Sequence, residues 1–348
     1  MSGVLEGWRR FWFGESCDYQ LGWARIVVLL YLMRFHVDSM SSWRWLASIP
    51  ADFYEPSFFA RLFGFPVPVP LPVAEVLARI AGVAWWFALL GVLTRVSLFA
   101  FAAIYLVRGT VQYSMVWTHH DAGIGGLCAL ILVFAPGTDD WSVDAIVRAC
   151  WRRSRNPQAG RPWFQELGWG AARPVWPQRL VLLMLAMSYT GAGINKVRYG
   201  GPRWLDGRTL QYYLSAKRLR PRTAMHYGMQ PVSARTWKDP WGVDAHLYNP
   251  RPTQLARRMS KSIWLCRGMA AATLIFECGF VASAFWIRRA GWFLAAALCF
   301  HMLTKLTLSV FFWGNVACFP VAMRCGRWPQ LARRGWSRAR SLLTARRR

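Results

Sequence analysis

The 348-residue sequence is 55% hydrophobic and 16% aromatic, with a mean hydropathy of +0.19, and this composition excludes an ordinary soluble protein. The formal net charge of +27 is compatible with nucleic-acid binding. However, the arginines lie mostly between apolar segments and near the C-terminus, where the positive-inside rule and anionic lipid headgroups account for them. We therefore expect a multi-pass integral membrane protein that contacts membrane lipid and no nucleic acid.

Apolar segments of membrane-spanning length follow one another along the chain. Each is predicted to be a helix, because a lipid-facing backbone must satisfy its own hydrogen bonds. The fold class is therefore all-α, a polytopic bundle of about seven to eight transmembrane helices over residues 1–323. The seven predicted spans and a shorter eighth are 20–38, 73–93, 95–115, 121–136, 178–196, 263–286, 290–312 and 312–323.

Two further regions lie outside these spans. The connection over residues 197–262 is rich in tyrosine, arginine and proline, and we expect it to be structured and to lie at the mouth of the bundle. Residues 324–348 form a basic C-terminal tail.

The fifth predicted span ends in a lysine, Lys196, after an apolar run that begins at Leu180. A cation near membrane depth costs about 2.5 to 3.5 kcal/mol on insertion scales, so such a residue is a functional-site candidate. A buried lysine that loses its proton is a natural general base. Lys196 is therefore the first candidate catalytic residue.

A polar segment immediately precedes the fourth predicted span. It runs from Trp117 through Thr118, His119 and His120 to Asp121. A helix N-terminus disfavours an imidazolium, so His120 is a candidate neutral hydrogen-bond partner for a bound acid or phenol. The alternative is that the histidine pair and Asp121 only cap the helix at the membrane interface.

Two more polar residues lie within predicted spans. Glu277 must be protonated or paired, because an isolated buried carboxylate is too costly, and its candidate partners are Lys196 and Arg267. Such a pair suits bundle stabilisation as well as catalysis. His301 lies four residues before Lys305 on one helix face, and is either a packed hydrogen-bonding group or part of a polar pocket. The sequence contains no glycine-rich phosphate loop and no zinc-ligand spacing, so no metal site is predicted.

The order of several short motifs carries a family resemblance. In chain order the motifs are Trp117-Thr-His-His120, Trp141-Ser-Val-Asp144, Tyr189-Thr-Gly-Ala-Gly-Ile-Asn-Lys196, Trp204-Leu-Asp-Gly207, Leu210-Gln-Tyr-Tyr-Leu214 and Phe300-His301. This order resembles that in the vitamin K-dependent gamma-glutamyl carboxylase and its bacterial relatives, the horizontally transferred transmembrane (HTTM) family. The resemblance covers roughly residues 20–323, essentially the whole predicted membrane part.

The resemblance implies a quinol- and oxygen-dependent enzyme of a bacterial cytoplasmic membrane, similar to a carboxylase or epoxidase. Lys196 matches the lysine proposed to deprotonate a reduced quinone of the vitamin K or menaquinone type, and His120 matches the histidine beside it. In the family mechanism, the oxidised quinol generates a strong base that removes a glutamate proton before carbon dioxide is taken up. The expected residues of the substrate or quinone pocket are Trp117, His119, Trp204, Glu277 and His301.

Two features depart from the carboxylase pattern. His119 stands where the motif usually has asparagine, and only about 25 residues, rich in arginine, follow Met323, in place of the large extracytoplasmic region of the carboxylase. We therefore expect a peptide or small-molecule substrate rather than protein γ-carboxylation. The alternative function is a non-enzymatic membrane accessory factor for the maturation or export of a secreted peptide, in which Lys196, Glu277 and His301 form a structural polar network.

Overall fold

The computed structural model describes residues 2–37, 39–114, 120–156, 163–215, 253–308 and 311–325. These residues form a mostly helical protein, as predicted, with one pair of two-residue antiparallel strands, β1 (Glu15–Ser16) and β2 (Arg173–Pro174). The helices are α1 (Ser2–Phe13), α2 (Leu21–Val37), α3 (Ser39–Ser48), α4 (Phe58–Phe63), α5 (Leu71–Leu90), α6 (Thr94–Tyr113), α7 (His120–Phe134), α8 (Val143–Arg155), α9 (Trp163–Glu166), α10 (Trp176–Asn195), α11 (Pro202–Leu205), α12 (Arg208–Ser215), α13 (Gln254–Met259), α14 (Ile263–Gly279), α15 (Ala282–Phe285), α16 (Ala290–Leu308) and α17 (Trp313–Ala322).

Five helical segments of the described chain are long and apolar enough to cross a membrane, which indicates an integral membrane protein. They correspond to the second, third, fifth, sixth and seventh predicted spans. The first and fourth predicted spans are shorter apolar helices, α2 and α7, and the eighth is the ten-residue α17. The expected count of seven to eight spans is therefore not confirmed. The five segments are Leu71–Leu90, Thr94–Tyr113, Trp176–Gly200, Ile263–Phe285 and Ile287–Leu308.

The core lies where small side chains allow helices to approach closely. The inward face of α5 consists largely of alanine, whereas its outward face carries exposed residues such as Val76 and Val83. Since lipid is as apolar as the core, helices in a membrane associate through close packing of small residues rather than through a hydrophobic driving force. The same main core also contains buried residues of α2, α6, α7, α10 and α17. The buried residues of α5 are Ala74, Ala78, Ala81, Ala84, Trp85 and Ala88.

Two acidic side chains contact neighbouring segments at one end of the bundle, namely Asp140 in the connection between α7 and α8 and Asp144 in the first turn of α8. Asp144 accepts hydrogen bonds from the backbone N–H groups of Leu93 (3.1 Å) and Thr94 (2.7 Å) at the start of α6. Burial alone would raise the pKa of Asp144, but these hydrogen bonds outweigh it and hold the pKa below its usual value. Asp140 pairs with Arg173 at 3.0 Å, yet burial raises the pKa of Asp140 to about 6.

A buried arginine joins the first apolar helix to the same connection. Arg25 of α2 is fully buried and donates hydrogen bonds to the carbonyl oxygens of Thr138 (2.7 Å) and Trp141 (3.1 Å). The neighbouring turn between α5 and α6 needs Gly91, because its φ is +73° and a Cβ there would lie 2.2 Å from the Cβ of Ser142. This end of the bundle is therefore closed by polar contacts between segments far apart in the chain.

Candidate functional site

Lys196 begins a widened turn at the end of α10. The five residues Lys196–Gly200 continue the helix as a π-helical turn, which stops at Gly201 with a φ of +52°. Turns of this kind are rare and occur frequently at functional sites. The turn also lengthens the apolar helix to Gly200, so Lys196 lies inside the span Trp176–Gly200 rather than at its last residue as predicted from the sequence.

Lys196 forms an ion pair with Glu277 of α14. Its Nζ atom lies 2.8 Å from both Oε1 and Oε2 of Glu277, so one ammonium group contacts both carboxylate oxygens. The Glu277 side chain is 5% exposed, whereas that of Lys196 is 24% exposed. The carboxylate is thus buried inside the bundle, and the lysine is the member of the pair that can be approached from outside.

Small residues on α10 bring α14 close enough for this pair to form. A Cβ atom at Gly193 would lie 2.8 Å from the Sγ atom of Cys278 and 3.2 Å from the Cβ atom of Glu277. One turn earlier, the hydroxyl of Thr190 donates a hydrogen bond to the backbone carbonyl of Glu277 at 3.2 Å. Small and hydroxylated residues at such spacing are typical of close helix contacts in membranes. The glycine is therefore what places the Glu277 carboxylate within reach of Lys196.

Trp204 of α11 provides an aromatic wall beside the pair. Its ring centroid lies 5.4 Å from the Lys196 Nζ atom, a distance at which the ring face attracts a cation. The Trp204 indole Nε1 is buried and has no hydrogen-bond partner in the part of the chain that the structure describes. Buried indole N–H groups usually have a partner. The Trp204 N–H is therefore a buried hydrogen-bond donor whose acceptor is not among the described residues.

Arg267, the other candidate partner of Glu277, makes different contacts. Its Nε atom donates a hydrogen bond to the backbone carbonyl of Asp206 at 3.1 Å, and its guanidinium lies 4.7 Å from the centre of the Trp264 ring. The guanidinium therefore fastens the connection after α11 to the start of α14. Of the two partners left open by the sequence, the structure selects Lys196.

His301 belongs to a separate, aromatic cluster. It is 1% exposed, and its Nε2 atom lies 2.5 Å from the hydroxyl of Tyr189. Tyr189 lies on α10, seven residues or about two helical turns before Lys196. The Tyr189 ring packs against Phe276, the residue next to Glu277. The His301 Nδ1 atom has no hydrogen-bond partner among the described residues. His301 is thus connected to the ion pair through packed rings and not by a direct hydrogen bond.

Sequence reasoning did not assign a role to Tyr189. The signal was present, because residues seven apart lie on the same face of a helix. A face that ends in Lys196 therefore includes Tyr189, and the polar cluster extends along it. By contrast, Lys305 is exposed although it lies four residues after the buried His301, so the two do not form one buried polar pair.

The segment before α7 is only partly described. Trp117 and His119 lie outside the described residues, and His120 is placed as the first residue of α7 without a description of its side chain. α7 ends and α10 begins near the Asp140–Arg173 pair, at one end of the bundle. The start of α7 and the end of α10 therefore both lie at the opposite end. A contact between His120 and Lys196 stays a prediction.

The site residues that the structure brings together are thus Lys196, Glu277 and Trp204, with His301 in the adjacent cluster. No protein-family model, no curated protein and no solved structure was found to match this chain. Membership of the HTTM family therefore stays a prediction that depends on the sequence motifs.

Proposed function

We propose that this protein is a membrane enzyme of the HTTM type that removes a proton from a quinol-like hydroxyl group, with Lys196 as the base and Glu277 as its proton-accepting partner. The observation that carries the proposal is the asymmetric burial of the pair. A carboxylate that is 5% exposed contacts, through both oxygens, a lysine that is 24% exposed. An ionisable pair inside a membrane bundle is a functional-site hypothesis by default.

The resting pair is an ammonium contacting a carboxylate, and an ammonium cannot act as a base. Transfer of one proton over the 2.8 Å from Lys196 Nζ to a Glu277 oxygen gives a neutral amine and a neutral carboxylic acid. A neutral pair is favoured over a charged one when the surroundings are apolar. Glu277 thus stores the proton that Lys196 must lose, and the amine is left on the accessible side.

Lys196 would then take a proton from an acidic hydroxyl group bound beside Trp204. The amine nitrogen forms the new N–H bond, the electron pair of the broken O–H bond stays on oxygen, and the resulting ammonium stabilises that negative oxygen. General-base catalysis of this kind contributes about 10²- to 10⁴-fold to a rate. The Trp204 ring and its unpaired indole N–H supply a stacking face and a hydrogen-bond donor for the same bound molecule.

These residues fit a reduced quinone of the vitamin K or menaquinone type. An aromatic face, an indole N–H without an acceptor among the described residues and a partly exposed amine suit a flat molecule with phenolic hydroxyl groups. When bound, such a molecule would supply the acidic hydroxyl group and the electrons that reduce oxygen. Trp204 would stack on the quinol ring, and Lys196 would accept the proton of the quinol hydroxyl group.

The proposal is tested with the full-length protein in lipid nanodiscs, supplied with reduced menaquinone or vitamin K and oxygen. We expect wild type to form quinone epoxide, and Lys196→Met to form it at least about 100-fold more slowly, the lower limit of a general-base contribution. Glu277→Gln should be impaired as well, because the amide cannot take the lysine proton. Lys305→Met is the matched control, since Lys305 is an exposed lysine of a neighbouring span.

Equal epoxide formation by wild type and Lys196→Met would overturn the proposal. If wild type forms no epoxide and Lys196→Met keeps the cellular function of the protein, the accessory-factor alternative is the better account.

A further inference from the structure

Arg79 is an exposed cation in the middle of a membrane-spanning helix. It lies eight residues after the start and eleven before the end of the span Leu71–Leu90. Its side chain has no hydrogen bond or ion pair with any residue that the structure describes. Glu75, one turn earlier, pairs instead with Arg44, whose Nε atom lies 2.9 Å from the Glu75 carboxylate. A charge in this position faces lipid hydrocarbon, where it is strongly disfavoured unless a partner covers it.

Arg79 lies at one end of a groove between α5 and α6. The groove has a volume of about 410 Å³, and Arg79 is the one charged residue of its lining. Two small residues, Ala84 and Ala100, form part of the lining. The hydroxyl of Ser97 is directed to the backbone carbonyls of residues 92–94, at and just before the start of α6. Small residues allow another helix to approach closely in a membrane. The remaining lining residues are Ile80, Val83, Phe87, Leu93 and Val96.

We propose that this groove binds a transmembrane helix of another protein, and that a carboxylate at the middle of that helix pairs with Arg79. Charge complementarity identifies the partner, because an apolar groove with a single cation fits an apolar helix with a single anion. Paired and covered, the arginine is no longer an isolated charge in hydrocarbon. The proposal concerns α5 and α6 and does not depend on the quinol site.

A lipid phosphate fits the position less well. Arg79 lies about 12 Å along the helix from the nearer end of its span, whereas phosphates lie in the headgroup region beyond that end. Side chains on a helix point toward its N-terminus, so the guanidinium shortens this distance but does not close it. A carboxylate carried on a helix, by contrast, can lie at the same depth as the arginine.

A second copy of this chain also fits less well. In the five described spans, the carboxylates are Glu75 and Glu277. Glu75 is paired with Arg44, and Glu277 is buried and paired with Lys196. Neither of these two carboxylates is available to Arg79 of a second molecule, so the proposal assigns the acidic helix to a different protein.

The test uses two synthetic transmembrane peptides of about 20 residues. They are leucine- and alanine-rich and differ only at the central residue, which is aspartate in one and leucine in the other. Binding to the full-length protein in phosphatidylcholine vesicles is followed by fluorescence energy transfer. We expect the aspartate peptide to bind at least about fivefold more tightly than the leucine peptide. Arg79→Leu should remove the difference, and Arg79→Lys should keep part of it.

Lys305→Leu is the control, because Lys305 is an exposed cation only three residues from the end of its span and can reach the membrane surface. It should leave the fivefold preference intact. Equal binding of the two peptides to wild type, or a preference that survives in Arg79→Leu, would overturn the proposal. So would loss of aspartate-peptide binding on adding phosphatidylglycerol, since the groove would then prefer a lipid phosphate. If Arg79→Leu does not fold, Arg79→Gln replaces it, and failure of both would show that Arg79 serves the fold instead.

Discussion

Removal of either partner of the Lys196–Glu277 pair is expected to destabilise the protein, but by unequal amounts. Removing one partner of a fully buried pair costs about 3 to 5 kcal/mol, because it leaves the other charge uncompensated. Lys196→Met leaves the Glu277 carboxylate, which is 5% exposed, without its partner, so we expect the free energy of unfolding to fall by about 3 kcal/mol. Glu277→Gln leaves the Lys196 ammonium without its carboxylate, but this group is 24% exposed and still faces the Trp204 ring at 5.4 Å. We therefore expect a smaller loss of unfolding free energy, about 1 to 2 kcal/mol.

The assay is a double-mutant cycle on the free energy of unfolding, measured by titration with sodium dodecyl sulfate in mixed micelles and followed by tryptophan fluorescence. The double variant should cost less than the two single variants together, with a coupling of about 1 to 2 kcal/mol. Lys305→Met should change the free energy of unfolding by no more than about 0.5 kcal/mol. Additive single variants would show that the two side chains do not interact, and a larger cost for Glu277→Gln would refute the inference from burial.

Two further predictions concern packing and pH. Gly193→Ala should cost about 1 to 3 kcal/mol of unfolding free energy, because its Cβ would lie 2.8 Å from the Cys278 Sγ atom. Gly191→Ala is the control, because a Cβ there has nothing within 4 Å, and it should be neutral or slightly stabilising. Equal melting temperatures of the two variants would contradict the close approach of α10 and α14. Burial raises the pKa of Asp140 from 3.8 to about 6, so the folded protein favours the neutral form of this side chain. The stability that Asp140 contributes is therefore complete below pH 3.8 and is lost as the pH rises through about 6. The change in unfolding free energy is about 3 kcal/mol. Asp140→Asn should therefore remove a decline in unfolding free energy between about pH 4 and about pH 7, and an unchanged pH profile would contradict this assignment.

Helix positions could be predicted from the sequence because the membrane imposes them. The predicted span 178–196 corresponds to the observed Trp176–Gly200, and 263–286 corresponds to Ile263–Phe285. The number of spans was harder to predict, because composition alone does not separate a crossing helix from a short helix within the bundle. α7 illustrates this, because its described part has 15 residues against about 20 for a full crossing, and residues 115–119 before it lie outside the described part.

The partner of Glu277 could not be predicted for a different reason. Lys196 and Arg267 are both cations on apolar helices, and the choice between them depends on how closely α10 and α14 approach at Gly193. The same limit applies to single arginines in apolar runs. Arg25 is fully buried and Arg79 is exposed, although both are arginines within mainly apolar helices.

The hydrogen bonds of Arg25 have a consequence for biosynthesis. Its two acceptor carbonyls follow it by 113 and 116 residues, in a connection that is made only after α7. Chains emerge from the ribosome N-terminus first, so α2 leaves the ribosome long before these acceptors exist. Until then the guanidinium of α2 lacks its native partners, and an apolar environment would not accept it. Final docking of the first apolar helix is therefore a late step, and a nascent chain that stops before residue 138 cannot complete it.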